Sequence, residues 1–146
     1  GLRTLEKYAI RAGGGHNHRQ NLGDGILIKD NHIEALSKMG LGLGDVIRKA
    51  HDNKSHTINV EVEVEDLSQV EEALAAGAEI LLLDNMGLED MTTAVKMCEG
   101  KAVTEASGTI TLDRVKAVAE TGVDLISVGA LTHSSDALDI SLDLVT

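Results

Sequence analysis

The chain has 146 residues, of which 42% are hydrophobic, so it is long enough to bury a core as one globular domain over residues 1–146. Its 24 acidic residues outnumber its 13 basic ones. The resulting formal net charge of −11 argues against a nucleic-acid backbone as the main partner, because binding phosphates requires clustered Lys and Arg. No apolar run approaches the roughly 20 residues that a membrane helix needs.

The single cysteine, Cys98, cannot form an internal disulfide, so we expect a reducing cytoplasm. Cys98 lies in a helical pattern and is interpreted as a small packing residue rather than as a nucleophile. The chain begins with Gly1, which suggests a fragment, a processed chain or a trimmed one.

The hydrophobic patterns alternate between helix and strand along the chain. In chain order they predict helix 3–11, a polar loop 16–24, strand 25–29, a loop and a helix within 30–53, strand 58–64, helix 66–76, strand 79–84, helix 88–99, strand 101–108, helix 111–121 and strand 124–130. Strands that alternate with helices in this way predict βαβ units and a parallel sheet.

Two of these predictions name particular residues. In the second half of 30–53, Leu43, Val46 and Ile47 share one helical face and are expected to be buried. For helix 66–76, the expected arrangement has Asp66 as N-cap, Gly77 as the C-terminal stop, and an inward face formed by Val70, Leu74 and Ala75.

The last segment has a different pattern. Leu138, Ile140, Leu142 and Leu144 alternate with polar residues, which predicts a half-exposed strand over 137–145. No later segment could cover it, so we expect it to pair with strands outside this sequence.

Polar and small residues lie in, or at the end of, one predicted strand after another. They are Lys29, Glu61, Glu63, Asp84, Glu105, Ser107, Gly108 and Gly129, with Thr132, His133 and Ser134 just beyond the last strand. Because the carboxyl ends of parallel strands meet at one edge of a sheet or barrel, this series predicts a functional site there. Each residue also has a structural interpretation; Asp84 and Asn85, for example, could simply cap the next helix.

The segment GGGHNHR (13–19) is the richest in ligand-binding residue types. His16, His18 and His32 together suggest a metal site, but no Cys or Glu is spaced in the sequence to complete one. Arg19 beside His18 suits an anion better, because a guanidinium can bind a carboxylate with two hydrogen bonds. We therefore favour an anion site over a metal site.

Two further segments are typical of phosphate-binding loops. EASGTI (105–110) precedes a predicted helix, and SVGALTHS (127–134) follows the last regular strand. Small residues at a helix start expose backbone N–H groups, and Ser or Thr adds hydroxyl donors.

These motifs together resemble one enzyme family. The run GLRTLEKYAIRAGGGHNHRQNLGDGILIKDNHI (1–33) closely resembles the central segment of quinolinate phosphoribosyltransferases. The segments VEVEVEDL (60–67), ILLLDNM (80–86), TEASGTI (104–110) and SVGALTHS (127–134) follow in the family's order and at approximately its spacing. The resemblance covers essentially the whole chain.

The resemblance implies a fold and a reaction. The fold would be α/β, a partial (β/α) TIM-like barrel with parallel strands, without the family's N-terminal domain and assembled as a homodimer or higher homo-oligomer. The reaction would transfer a phosphoribosyl group from phosphoribosyl pyrophosphate to quinolinate with Mg²⁺. It would release pyrophosphate and carbon dioxide and give nicotinate mononucleotide, a precursor of NAD.

The resemblance also implies roles for residues at matching positions. The two carboxylates of quinolinate would be bound by His18, Arg19 and Lys29. Glu63 and Asp84 would meet the ribose hydroxyls and the magnesium-bound donor, and with Lys29 they would be the catalytic residues. The 5-phosphate would be held by Ser107, Gly108, Gly129 and His133.

The chain departs from the family pattern in several respects. It lacks the N-terminal domain, which in the family also completes a neighbouring subunit's pocket, and an upstream Arg-Lys pair that faces the substrate. Thr109 stands where a glycine would be typical. We therefore expect the isolated chain to be inactive.

Two alternative functions stay open. One is a phosphoribosyltransferase for another pyridine carboxylate, such as nicotinate. The other is a non-catalytic module that binds a sugar phosphate on a barrel fragment.

Overall fold

The structure, a computed structural model, describes residues 1–144 as a βα-layered protein. Its helices are α1 Arg3–Ala12, α2 Asp30–Ser37, α3 Leu43–Asn53, α4 Leu67–Ala75, α5 Leu88–Cys98, α6 Leu112–Glu120 and α7 Ala130–His133. Its strands are β1 Ile26–Ile28, β2 Val60–Val64, β3 Ile80–Asp84, β4 Val103–Ser107 and β5 Leu125–Ile126.

The strands form one parallel sheet whose spatial order, β1-β2-β3-β4-β5, is also the chain order. Each strand is joined to its neighbour through at least one helix, which is the repeat of a (β/α) barrel wall. The predicted α/β class, a partial barrel of parallel strands, is confirmed.

The two faces of the sheet have opposite chemistry. The face under helices α3 to α6 is apolar; on β2 it carries Val60, Val62 and Val64, all fully buried. Each such side chain contributes roughly 1.5–3 kcal/mol by leaving water. Alternate residues point the other way, so Glu61 and Glu63 lie on the opposite face. That face corresponds to the barrel interior, and its polar side chains form the site described below.

The helix boundaries and caps largely follow the sequence. Asp66 caps α4 as predicted, accepting a hydrogen bond of 2.9 Å from the Gln69 N–H. Val70 is buried and Gly77, at φ +87°, follows the helix end. The prediction that Ala75 faces inward was wrong, since it is exposed. Ala73, three residues after Val70 on the same helical face, is buried instead.

The segment 30–53 contains two helices where a loop and one helix were expected. Helix α2 begins directly after Lys29, and residues 38–42 separate it from α3. Leu43, Val46 and Ile47 of α3 are buried as predicted. At the other end of the core, Cys98 is fully buried, which confirms its interpretation as a packing residue.

The end of the chain corrects two predictions. The strand expected over 124–130 is limited to β5, and the short helix α7 begins at Ala130. The half-exposed strand expected over 137–145 is absent from residues 137–144, and Val145 lies outside the described residues. Ile140 and Leu142 are 79% and 90% exposed. A period of two does not produce a strand without a neighbour to supply the ladder hydrogen bonds.

Among the described residues, no helix is both long enough and apolar enough to cross a membrane.

Candidate functional site

The predicted site residues of the central strands meet at one edge of the sheet. Lys29 directly follows β1, and Glu63 lies one residue before the end of β2. Asp84 and Ser107 end β3 and β4 and are partners in the parallel register. The prediction that these side chains would gather at the carboxyl ends of the strands therefore agrees with the topology.

Lys29 and Glu63 form an ion pair at this edge. The Lys29 Nζ lies 3.0 Å from Glu63 Oε2, and the Glu63 side chain is only 12% exposed. The same oxygen receives no aligned hydrogen bond from any described residue, so the contact is ionic rather than a well-directed hydrogen bond. A buried carboxylate oxygen with free lone pairs is available to a further donor or cation.

Deeper on the same face, His18 lies against two buried carboxylates. Its Nε2 is 3.2 Å from Glu61 Oε2 and 3.9 Å from Glu105 Oε1. Glu61 and Glu105 are 7% and 5% exposed. The Ser127 hydroxyl donates to Glu105 Oε1 in a short hydrogen bond. A loop histidine, two inward-facing strand glutamates and Ser127, which directly follows β5, thus form one polar cluster.

The cluster has perturbed proton affinities. The hydrogen bond that His18 donates to Glu61 raises the pKa of His18, and the charge of Glu105 adds to the effect although burial opposes it. Burial raises the pKa of Glu105, while the Ser127 hydroxyl opposes that shift. The His18 Nδ1 accepts the Arg19 backbone N–H at 2.8 Å, so a neutral His18 carries its proton on Nε2.

His18, Glu61 and Glu105 also border a cavity of about 260 Å³. Arg19 lies on the wall of this cavity, and its Nη1 donates to the Gly25 carbonyl at 3.2 Å. This bond anchors the guanidinium and uses only one of its five N–H donors. The cavity therefore has a fixed cationic group on a wall that also contains two carboxylates.

The predicted phosphate-binding residues lie at the ends of β4 and beyond β5. Ser107 ends β4 and Gly108 directly follows it, with φ +82°. Gly129 directly precedes α7, and a Cβ there would come within 3.1 Å of the His133 ring. His133 is exposed and its Nδ1 pairs with the Ser134 hydroxyl at 2.6 Å.

The structure also brings together groups that the sequence did not connect. The His18 ring nitrogen and carboxylate oxygens of Glu61 and Glu105 lie within 4.8 Å of one another, which is metal-ligand spacing. The weighed alternative of His16, His18 and His32 is not the group that assembles, and His32 Nδ1 instead accepts the Lys29 N–H at 3.0 Å. Glu61 and Glu105 had each been noted in the sequence, but no sequence pattern showed that both lie beside His18.

Comparison with known proteins agrees with this architecture. The family model described as "Quinolinate phosphoribosyl transferase, C-terminal domain" matches residues 1–143. The chain is 48% identical to the probable nicotinate-nucleotide pyrophosphorylase (carboxylating) of Bacillus subtilis, covering 99% of the chain and 48% of that protein. The Mycobacterium leprae nicotinate-nucleotide pyrophosphorylase (carboxylating) is 45% identical, with 99% and 50% covered.

A solved structure gives the same result. The nicotinate-nucleotide pyrophosphorylase from Francisella tularensis superposes with a TM-score of 0.87 at 44% identity, covering 96% of this chain and 48% of that one. The chain thus spans about half the length of the relatives it matches. It belongs to the quinolinate phosphoribosyl transferase C-terminal domain family.

Proposed function

We propose that the intact protein containing this chain transfers a phosphoribosyl group from phosphoribosyl pyrophosphate to quinolinate in NAD biosynthesis. The observation that carries the proposal is the polar inner face, where cationic side chains from the first loop and from Lys29, directly after β1, border carboxylates of β2 and β4. The family of the chain and the names of its relatives support the same reaction.

At the substrates, the reaction breaks two bonds and makes two. The C1′–O bond to pyrophosphate breaks as the pyridine nitrogen bonds to C1′. The carboxylate next to that nitrogen leaves as carbon dioxide, and its electron pair passes to the ring, whose positive nitrogen stabilises it until the carbon takes a proton from water. The products are nicotinate mononucleotide, pyrophosphate and carbon dioxide.

For the acceptor, we assign the two quinolinate carboxylates to His18, Arg19 and Lys29. Arg19 is held by Gly25 and keeps further N–H donors for a bidentate contact with a carboxylate. Lys29 is 46% exposed on its side chain, so an anionic ligand has access to its ammonium group beside Glu63. Two negative groups on one ring explain why the acceptor pocket needs several cations.

For the donor, we assign the ribose to Glu63 and Asp84. As pyrophosphate leaves, positive charge develops at C1′, and a carboxylate oriented in advance stabilises it. Lys29 holds one oxygen of Glu63 and thereby fixes the orientation of the carboxylate. With Lys29, these two carboxylates form the proposed catalytic set.

The 5-phosphate is assigned to residues that expose backbone and hydroxyl donors. They are Ser107 at the end of β4, Gly108 directly after it, and Gly129 and His133 beyond β5. Loops after the last strands of a barrel are a frequent phosphate site.

We propose Mg²⁺ as the cofactor, with Glu63 and Asp84 as its protein ligands, mainly through the donor. The residues fit, because Glu63 Oε2 is buried and has no aligned hydrogen bond from the described residues, and Mg²⁺ prefers oxygen ligands from a few carboxylates and substrate phosphates. When bound, the cation would neutralise charge on the pyrophosphate leaving group.

The substrate assignment is tested by comparing quinolinate with nicotinate. We expect turnover of quinolinate and none of nicotinate. Arg19→Ala should lower kcat/KM for quinolinate by about 100-fold or more, which corresponds to roughly 2.7 kcal/mol of lost binding in the transition state. Arg3→Ala, an exposed change on α1, is the control and should leave the rate unchanged. Use of nicotinate, or full activity in Arg19→Ala, would contradict the assignment.

A non-catalytic module that binds a sugar phosphate is the second candidate. It is favoured if the phosphate loops bind phosphoribosyl pyrophosphate without help from Mg²⁺ or Asp84. Isothermal titration of the intact protein with phosphoribosyl pyrophosphate, with and without Mg²⁺, separates the two. We expect binding that depends on Mg²⁺ and weakens in Asp84→Asn. Metal-independent binding that this variant leaves unchanged would support the binding module.

We also propose that the protein acts in the cytoplasm as a homodimer or higher homo-oligomer. Leu5 and Tyr8 on α1 are each 64% exposed, and a partner surface would cover them. Sedimentation of the intact protein at several concentrations tests the assembly. A fully active monomer would contradict it.

A further inference from the structure

Asn85, which directly follows β3, joins the ends of two neighbouring strands through three hydrogen bonds. Its side-chain Nδ2 donates to Asp84 Oδ2 at 2.8 Å. Its Oδ1 accepts the Thr109 hydroxyl at 3.3 Å, and its backbone N–H donates to the Ser107 carbonyl at 3.1 Å. One residue therefore contacts both Asp84 and the segment 107–109, which we call the β4 loop.

The orientation of the Asn85 amide follows from its partners. The Asp84 carboxylate is an acceptor only, so the amide nitrogen has to face it. The amide oxygen then faces Thr109, whose hydroxyl has to be the donor. The two bonds therefore specify one amide orientation and one hydroxyl direction without an alternative assignment.

The backbone at this junction is strained on both strands. Among the described residues, Asn85 at φ 53° and Thr109 at φ 48° are the non-glycine residues with positive φ. Asn tolerates this region, but a β-branched Thr there costs on the order of 1–3 kcal/mol. The side-chain bond between Asn85 and Thr109 connects the two strained residues directly and helps to hold both conformations.

Gly108 shows how closely the two strand ends approach. A Cβ at Gly108 would overlap the Asn85 side-chain amide, and Gly108 itself has φ +82°. A side chain at position 108 would therefore displace Asn85 and break its bonds to Asp84 and Thr109. The glycine is required by Asn85 as well as by the backbone conformation.

Capping of the next helix does not account for Asn85. The N-cap position of α5 is Gly87, and no side-chain cap bond is made there. The hydrogen bonds of Asn85 run back to Asp84 and across to Thr109. The exposed position of Asn85 also means that core packing does not explain its contacts.

We propose that Asn85 is a positioning residue for the phosphoribosyl donor, and that Thr109 is its partner. The inference rests on the proposed function, in which Asp84 meets the ribose and the β4 loop holds the 5-phosphate. Asn85 sets the distance and orientation between these two groups, and so matches them to the separation of ribose and phosphate within one donor molecule. Its amide acts through Asp84 and the loop and does not itself have to touch the donor.

The test uses variants that change the side-chain hydrogen bonds of Asn85 and Thr109 while the backbone conformation stays accessible. Asn85→Gly keeps access to positive φ and removes the amide, while Asn85→Asp puts a second carboxylate against Asp84. Thr109→Ser keeps the hydroxyl, and Thr109→Val removes it at nearly constant shape. The measurements on the intact protein are the Kd for phosphoribosyl pyrophosphate with Mg²⁺, the KM of each substrate, and the melting temperature.

We expect Asn85→Gly and Thr109→Val each to raise the Kd and KM for the donor about tenfold, with the KM for quinolinate within about twofold of wild type. Thr109→Ser should restore the wild-type values and Asn85→Asp should be the weakest binder. The double variant Asn85→Gly with Thr109→Val should be no worse than either single variant, because both remove the same bond.

The two levels of the hypothesis can fail separately. A wild-type protein that does not bind the donor would overturn the proposed function, and this inference with it. Tight wild-type binding that Asn85→Gly leaves unchanged, or equal losses for donor and quinolinate in all four variants, would overturn the inference alone.

Discussion

The imidazole of His18 lies 3.2 Å from a carboxylate oxygen of Glu61, which is buried beneath it on the inner face of the sheet. The histidine comes from the polar loop after α1 and the glutamate from β2, so the pair attaches that loop to the sheet. Because Arg19 is the next residue, this attachment also positions the guanidinium on the cavity wall.

Glu61→Gln is predicted to lower the pKa of His18, because the Glu61 hydrogen bond is the main cause of its elevation. A raised histidine pKa stabilises the fold at pH values below the unfolded pKa of about 6.5, and this stabilisation is lost as the pH rises through the folded pKa. Glu61→Gln should therefore destabilise the protein more at about pH 6 than at about pH 9. Histidine NMR titration measures the change in the His18 pKa. Thermal denaturation at the two pH values measures the loss of stability.

The control for this experiment is Glu65→Gln, an exposed change just beyond the same strand. It should leave both the His18 titration and the pH dependence of melting unchanged. An unaltered His18 titration in Glu61→Gln would mean that the pair does not control the histidine.

Lys29→Met is predicted to reduce kcat by roughly 100-fold or more, since it removes the cation that pairs with Glu63 and that we propose binds the acceptor. Lys38→Met, on the exposed end of the neighbouring helix α2, is the matched control. Steady-state kinetics of the intact protein measure the effect. Equal rates for the two variants would exclude Lys29 from the catalytic set.

The alternation of strands and helices made the fold predictable from sequence, because the central strands β2 and β3 carry valine or leucine on the face that the helices bury. Val62 and Leu81 are register partners on β2 and β3 and are both fully buried. The alternating apolar residues of 137–145 predicted a strand that residues 137–144 do not form. An alternating pattern records which side chains prefer burial, but a strand also needs a neighbour to accept its backbone hydrogen bonds.

Candidate site residues could be named from sequence where a residue type carries its own chemistry, as with Arg19 and Lys29. Contacts could not be predicted where ordinary residues from separate βα units meet. Ser127 is 22 residues from Glu105, and Thr109 is 24 residues from Asn85, and no local pattern connects either pair. Such contacts depend on the register between strands, which the sequence alone does not specify to one residue.

Glu105→Gln is predicted to stabilise the protein at neutral pH by roughly 1 kcal/mol, because it removes a buried charge while the amide oxygen still accepts the Ser127 hydroxyl. Burial raises the pKa of Glu105, so its ionisation destabilises the fold as the pH rises through that folded pKa. The gain should therefore disappear at acidic pH, where Glu105 is protonated. Thermal denaturation from about pH 4 to pH 8 checks it, with the exposed Glu71→Gln as control.

Asp124→Asn is predicted to destabilise the protein at neutral pH by roughly 1 kcal/mol, because it weakens two hydrogen bonds to a charged group that solvent partly screens at this exposed position. The Asp124 Oδ2 accepts both the backbone N–H and the hydroxyl of Thr104, each at 2.8 Å, and Thr104 is buried. These two bonds hold the start of β4 against the turn before β5. An asparagine at this position keeps an acceptor oxygen for the two Thr104 donors, but that oxygen carries less negative charge.

The pH dependence distinguishes this ionic contribution from simple loss of packing. The Thr104 backbone N–H, and then its hydroxyl, lower the pKa of Asp124. A depressed carboxylate pKa stabilises the fold above the unfolded pKa of about 3.9, and the stabilisation is lost as the pH falls through the folded pKa. The difference in melting temperature between wild type and Asp124→Asn should therefore be full at pH 7 and shrink below about pH 3. Asp139→Asn, at an exposed position, should change nothing, and a pH-independent loss in Asp124→Asn would show that packing rather than charge holds this turn.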